Sequence, residues 1–156
     1  MNAERRAFAA ALYASGREHD ATQPDRLARW RNVEPETAEL LGVLVRGCDA
    51  RRVLEIGTSN GYSTLWLADA AESIGGTVTS LEIEPARTAL AAQHLAHVGL
   101  AAVVDLRIED AAPHSRPSTM RPGTSSSSTP SGRRMSATGR TSCASLPVRA
   151  CSRSTT

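Results

Sequence analysis

The sequence predicts a doubly wound α/β fold with a parallel sheet. Three observations carry that prediction. First, apolar runs at 53–56, 77–82 and 103–108 each hold an acid at their end or are followed by one. Second, stretches of helical character separate these runs, and strands alternating with helices build parallel sheets. Third, a glycine-bearing loop, Gly57-Thr58-Ser59-Asn60-Gly61, follows the first run. Folds of this class open their ligand crevice at that place, outside the carboxyl end of a strand.

Taken in order, residues 1–34 form an amino-terminal helical segment, with helices expected over 2–15 and 23–31. Pro35 to Cys48 reads as the next helix. It starts on proline, and Ala38, Leu41, Leu44 and Val45 recur at helical spacing. Val53-Leu-Glu-Ile56 is the first strand, with the Glu55 carboxylate near its end. That charge would repel a pyrophosphate and hold a cationic or amine-bearing ligand. Gly57 and Gly61 have no Cβ, so the chain can turn sharply there and approach a ligand closely. Tyr62 and Ser63 open the following helix, whose N-terminus favours anions.

The second strand, Thr77–Glu82, ends in an acid 27 residues beyond Glu55. An acid roughly 20 residues past a glycine loop is placed to accept hydrogen bonds from ribose hydroxyls. Pro85 suits the first position of the next helix, where a missing N–H costs nothing. Glu84 reads equally as a ligand contact or as a solvated acid at that helix start. The third strand leads into Glu109-Asp110-Ala111.

The glycine spacing separates two kinds of ligand. A dinucleotide fingerprint is G-x-G-x-x-G and a phosphate-binding P-loop ends in Gly-Lys-Ser/Thr. This chain has neither; it has E-x-G-x-x-x-G. That pattern resembles motif I of the class I S-adenosylmethionine (SAM)-dependent methyltransferases. The fuller string LEIGTSNGYST resembles the O-methyltransferase family that contains catechol and caffeoyl-CoA O-methyltransferases. The resemblance covers the amino-terminal half and implies a Rossmann-like fold, truncated here to about three parallel strands with flanking helices. It implies SAM as cofactor and a hydroxyl of a small-molecule acceptor as methyl recipient. It places the cofactor against Glu55, Gly57, Thr58, Ser59, Gly61, Tyr62 and Ser63, with Glu82 on the ribose and Asp110 and Ala111 near the adenine. Residues 35–112 would be the SAM-binding half-domain.

Composition changes abruptly after residue 112. Residues 1–112 carry 11 Arg and 16 acids, whereas 113–156 carry 7 Arg and no acid. Ser, Thr, Arg and Pro dominate the second part, which reads as a disordered tail. The chain contains no lysine, as expected of a GC-rich coding sequence. Translated one base earlier, each tail codon takes its middle base from the first base of the residue seen here. Ser (TCN) and Cys then become apolar, and Thr becomes Asp, Asn, His or Tyr. Thr124, Ser125 to Ser128 and Thr129 then allow D-L-V-F-V-D, a buried parallel strand ending in an acid. Ser152-Arg-Ser-Thr-Thr156 allows L-A-V-D-N. The resemblance implies divalent-metal ligands, for magnesium, at an Asp after the fourth strand and an Asp-Asn pair after the fifth. The shifted frame supplies both. Residues 113–156 are therefore expected to be a frameshift product, and this form an inactive one whose first strand has an unpaired edge.

No catalytic base can be chosen within 1–112. His94 and His97, three apart on one helix, read as solvated. Asn2, Arg5, Arg6 and Trp30 are available to a substrate or partner, but nothing in the sequence demands it. Three cysteines with no metal spacing argue against a disulfide framework or a zinc site. No segment reads as an export signal or a membrane span, so a cytoplasmic protein is expected. Intact relatives are often homodimers. Two other readings compete. One is a non-catalytic SAM- or nucleotide-binding half-domain whose basic tail binds nucleic acid, with salt-dependent affinity. The other is an NAD-linked oxidoreductase, disfavoured by the glycine spacing.

Overall fold

The structure, a computed structural model, describes residues 1–111 and 147–149. Helix α1 spans Ala3–Thr22. Asn2 caps it, its side-chain oxygen accepting from the Arg5 N–H at 2.8 Å. The helix runs past the expected stop at residue 15 because Gly16 is buried on the same face as Ala9 and Leu12. Packing there outweighs the poor helix propensity of glycine. Helix α2, Pro35–Gly47, begins on proline and buries Ala38, Gly42 and Val45. That stripe lies against α3, Tyr62–Ser73. Helix α3 is buried on nearly every side, from Thr64 through Ala71, because α2 covers it on one side and the sheet on the other.

Strands β1 (Arg52–Ile56), β2 (Thr77–Glu82) and β3 (Val104–Ile108) are parallel, as expected. β1 pairs with β2 from Arg52 opposite Thr77 to Ile56 opposite Leu81. The registers bring all three carboxyl ends to one edge of the sheet. Helix α4, Pro85–His97, follows β2 with Pro85 in its first turn. Ala91 and Leu95 are its buried face. Leu65, Leu67, Val78, Leu95 and Leu100 form the centre of the core, each fully enclosed. Burying a side chain of this size contributes about 1.5–3 kcal/mol.

Two expectations change. Residues 23–31 form bends, turns and irregular chain, not a helix. Asp25 Oδ1 takes the Leu27 N–H at 2.9 Å, and Asp20 takes the N–H groups of Trp30 and Arg31 at 2.7 and 2.9 Å. Carboxylates that bind nearby backbone N–H groups divert them from a helix. The outer edge of β1 is also not bare. A short strand β4, Pro147–Arg149, pairs with it in parallel, and the sheet order is β3-β2-β1-β4. Proline is tolerated at the first residue of an edge strand. The rest of the expected tail, and the strand read in the shifted frame at 124–129, lie outside the described residues.

Candidate cofactor-binding site

The glycine loop is a tight reversal at the carboxyl end of β1. Gly57, at φ +92°, donates its N–H to the Leu81 carbonyl of β2 at 2.9 Å. The Gly61 N–H closes the loop on the Thr58 carbonyl at 2.9 Å. Gly61, at φ +83°, then leads into α3. The two glycines serve different ends. A Cβ at Gly57 would meet nothing within 4 Å, so open space lies above that residue. A Cβ at Gly61 would stand 3.0 Å from Ala91 Cβ and 3.2 Å from its Cα. Gly61 therefore lets α4 press against the loop, while Gly57 leaves room for a ligand.

Glu55 lies beneath the loop. It is 3% exposed, and both carboxylate oxygens are engaged: Ser63 Oγ donates to Oε1 at 2.6 Å, and Thr64 Oγ1 and Ser80 Oγ to Oε2 at 2.6 and 2.7 Å. Burial pushes this carboxyl above the usual range, the three hydroxyls oppose that shift, and the neighbouring Glu82 charge adds to it. The Thr58 and Ser80 hydroxyls share a hydrogen bond at 2.6 Å, which ties the loop into the same cluster. Glu55 thus joins β1, β2 and α3 inside the fold, and the Ser63 hydroxyl turns inward toward it.

Glu82 is built differently. Its Oε1 accepts the N–H groups of Ile83 and Glu84 at 2.9 and 3.1 Å, and its Oε2 accepts the Ser59 N–H at 2.8 Å. A carboxylate offers about four acceptor sites, so acceptor capacity remains on Oε2. Ser59, at φ +52°, also donates its hydroxyl to the Trp30 carbonyl at 2.9 Å. Asp110 and Ala111 follow β3 at the same edge of the sheet, where the Glu109 N–H reaches the Glu82 carbonyl at 2.9 Å. Tyr62 is buried at the start of α3, its N–H on Asn60 Oδ1 at 3.2 Å. The structure thus gathers Gly57, Thr58, Ser59, Glu82 and the end of β3 at one edge. It sets Glu55 and the Ser63 hydroxyl beneath it.

Sequence reasoning missed three participants. Segment 23–33 lies against the loop through the Trp30 carbonyl, and the Trp30 ring stacks on His19 at 4.0 Å. Ile83, next to Glu82 in the chain, is 71% exposed. His94 is not a solvated helix residue: it is half-buried, its Nδ1 lies 2.8 Å from the Asn60 carbonyl, and Phe8 packs on its ring. Only the apolar neighbours of His94 on α4 hinted at this. Arg5 pairs with Asp69 and Glu72 on α3 at 3.0 and 2.5 Å, which gives it a structural role.

Among the described residues no three His, Cys, Asp or Glu side chains gather to hold a metal. None of their helices is long and apolar enough to cross a membrane.

The sequence profile of the O-methyltransferase family matches residues 14–116. The chain belongs to the O-methyltransferase family. It is 41% identical over 100 residues to a catechol O-methyltransferase of Mycobacterium tuberculosis, a match covering 64% of this chain and 41% of that protein. The fold resembles the O-methyltransferase TomG of Streptomyces achromogenes in complex with SAM, at 34% identity and a TM-score of 0.53, over 76% of this chain and 50% of that one. It also resembles a Bacillus cereus O-methyltransferase in complex with SAH, at 31% identity and a TM-score of 0.53, covering 65% and 42%. The chain spans less than half the length of the curated relatives it matches.

Proposed function

We propose that this chain carries the SAM-binding half of an O-methyltransferase acting on a hydroxyl of a small-molecule acceptor. One observation carries the reading: at the carboxyl ends of β1 and β2, Gly57 has open space above it, and backbone N–H groups fix the Glu82 carboxylate, which keeps acceptor capacity. A ribose diol suits that carboxylate, and the exposed face of Ile83 suits a flat base. Asp110 and Ala111 stand at the end of β3, where the adenine would lie. The N-terminus of α3 favours the methionine carboxylate, through backbone N–H groups, since the Ser63 hydroxyl is held by Glu55. SAM supplies the electrophilic sulfonium methyl. The residues here bind and orient it. No described residue stands as a general base, and no step is derived through a metal.

Calorimetric titration of the purified chain tests this. SAM should bind, NAD should bind more weakly, and Glu82→Gln should weaken SAM by at least about tenfold. NAD binding more tightly than SAM would revive the oxidoreductase reading and end this one.

The shifted-frame origin of residues 113–156 belongs to the same proposal. The family match stops at residue 116, within a few residues of the point where acids vanish from the sequence. Sequencing the coding DNA over codons 105–160 decides it. An open frame one base earlier, with apolar codons at 125–128, supports a frameshifted enzyme. Stop codons there would make the basic tail real, and salt-dependent binding to nucleic acid would then be measured. Methyl transfer, a homodimer and a cytoplasmic setting are proposed for the in-frame protein, and no turnover is expected of this chain.

A further inference from the structure

Away from the glycine-loop crevice, α1, α2 and α3 line a half-open pocket of about 260 Å³. It is smaller than the ~300–1,000 Å³ typical of sites for drug-sized ligands, so its occupant is small. Tyr13 from α1 and Tyr62 and Trp66 from α3 line it, with the two tyrosine rings 5.5 Å apart. Glu36 and Glu39, from the first turns of α2, add two carboxylates, and Arg6 adds one guanidinium.

The charges do not balance. Arg6 pairs with Glu39 at 3.4 Å, which leaves the Glu36 charge without a basic partner among the described residues. Glu34 accepts the hydroxyl of the lining residue Tyr13, and the Arg17 guanidinium also acts on that hydroxyl. The Arg6 guanidinium lies 5.7 Å from the centre of the Trp66 ring, so these surroundings already hold one organic cation. Aromatic faces attract cations through their quadrupole, and a carboxylate at the rim adds to that field. Trp66 is 7% exposed and packs beside Tyr62 one helical turn away.

We infer that this cavity binds a small organic cation, an ammonium on a flat apolar body, with its charge toward Glu36 and its body between Tyr62 and Trp66. The site adjoins the proposed cofactor crevice, but its charge and ring contacts do not depend on that reading. The two share the Tyr62 residue, whose N–H is held by Asn60 of the glycine loop.

Benzylammonium chloride is the probe and benzyl alcohol its neutral counterpart. Binding is read by calorimetry and by tryptophan fluorescence, for which Trp30 and Trp66 are the reporters. Benzylammonium should bind saturably, and benzyl alcohol at least about tenfold more weakly. The double variant Glu36→Gln, Glu39→Gln should bring the two probes level. Both glutamates are exposed, so the variant should keep the thermal melt of the parent. Trp66→Phe should remove the fluorescence response. Equal affinity for the two probes, an unaffected double variant, or no saturation up to roughly 10 mM would overturn the inference. SAM titrated alongside reads the crevice independently, so failure at one site is distinguishable from failure at the other.

Discussion

Glu55 and Glu82 occupy like positions in the sequence, each at the end of an apolar run, yet the fold uses them in opposite ways. Three side-chain hydroxyls surround Glu55 beneath the loop. Three backbone N–H groups hold Glu82, itself only 6% exposed, at the end of β2. Hydroxyls drawn from β2 and α3 bind elements together, so Glu55 acts as an internal joint. Backbone N–H groups from the strand end and the loop fix a carboxylate while leaving acceptor capacity on its Oε2. A strand-end acid is therefore a motif with two outcomes, decided by which donors the neighbouring strand and helix bring to it.

The sharpest break of that comparison is at the loop that lies between the two acids. Gly61→Ala adds a left-handed strain to a collision with Ala91, and should cost about 3 kcal/mol in chemical denaturation. Gly57→Ala meets open space and should cost only the strain of about 1–2 kcal/mol while impairing SAM binding. Equal losses of stability would show that the two glycines do not divide the loop's tasks. Glu55→Ala should cost nearly as much as Gly61→Ala, about 3 kcal/mol, because it leaves three hydroxyls facing a void. A melt close to that of the parent would show that Glu55 is not a joint.

Glu82→Gln separates the two acids by function. It places an amide N–H against the Ser59 N–H, so about 1 kcal/mol of stability should be lost. The larger effect should be the tenfold loss of SAM affinity. Glu55→Gln should show the reverse balance.

The smallest effect is in pH. The folded-state value of Glu55 is raised, chiefly by burial. Its contribution to stability is therefore fully present below its unfolded value of about 4.3 and is lost as pH rises through the folded value. Denaturation of Glu55→Gln between about pH 4 and pH 7 should lack that decline, and an unchanged slope would place the titration elsewhere.

Much of this was legible in the sequence. Alternating and continuous apolar runs set the three strands, since a parallel strand buried on both faces requires them. Pro35 and Pro85 marked two helix starts, and the glycine spacing distinguished this loop from a dinucleotide or phosphate loop. Local chemistry decides such features, and local chemistry is written in order along the chain. The division of labour between Gly57 and Gly61 was not legible, because it depends on how closely α4 approaches. Nor was the fate of 23–31, whose helical pattern yielded to carboxylates of Asp20 and Asp25. Glu55 read as a ligand group and lies in a hydroxyl cluster, because Ser63, Thr64 and Ser80 come to it from two other elements. The sequence by itself determined the elements and the kind of loop. Only the tertiary structure decided which polar groups face each other, because a buried acid's partners come from residues 8 to 25 positions away, and packing alone brings them within hydrogen-bond reach.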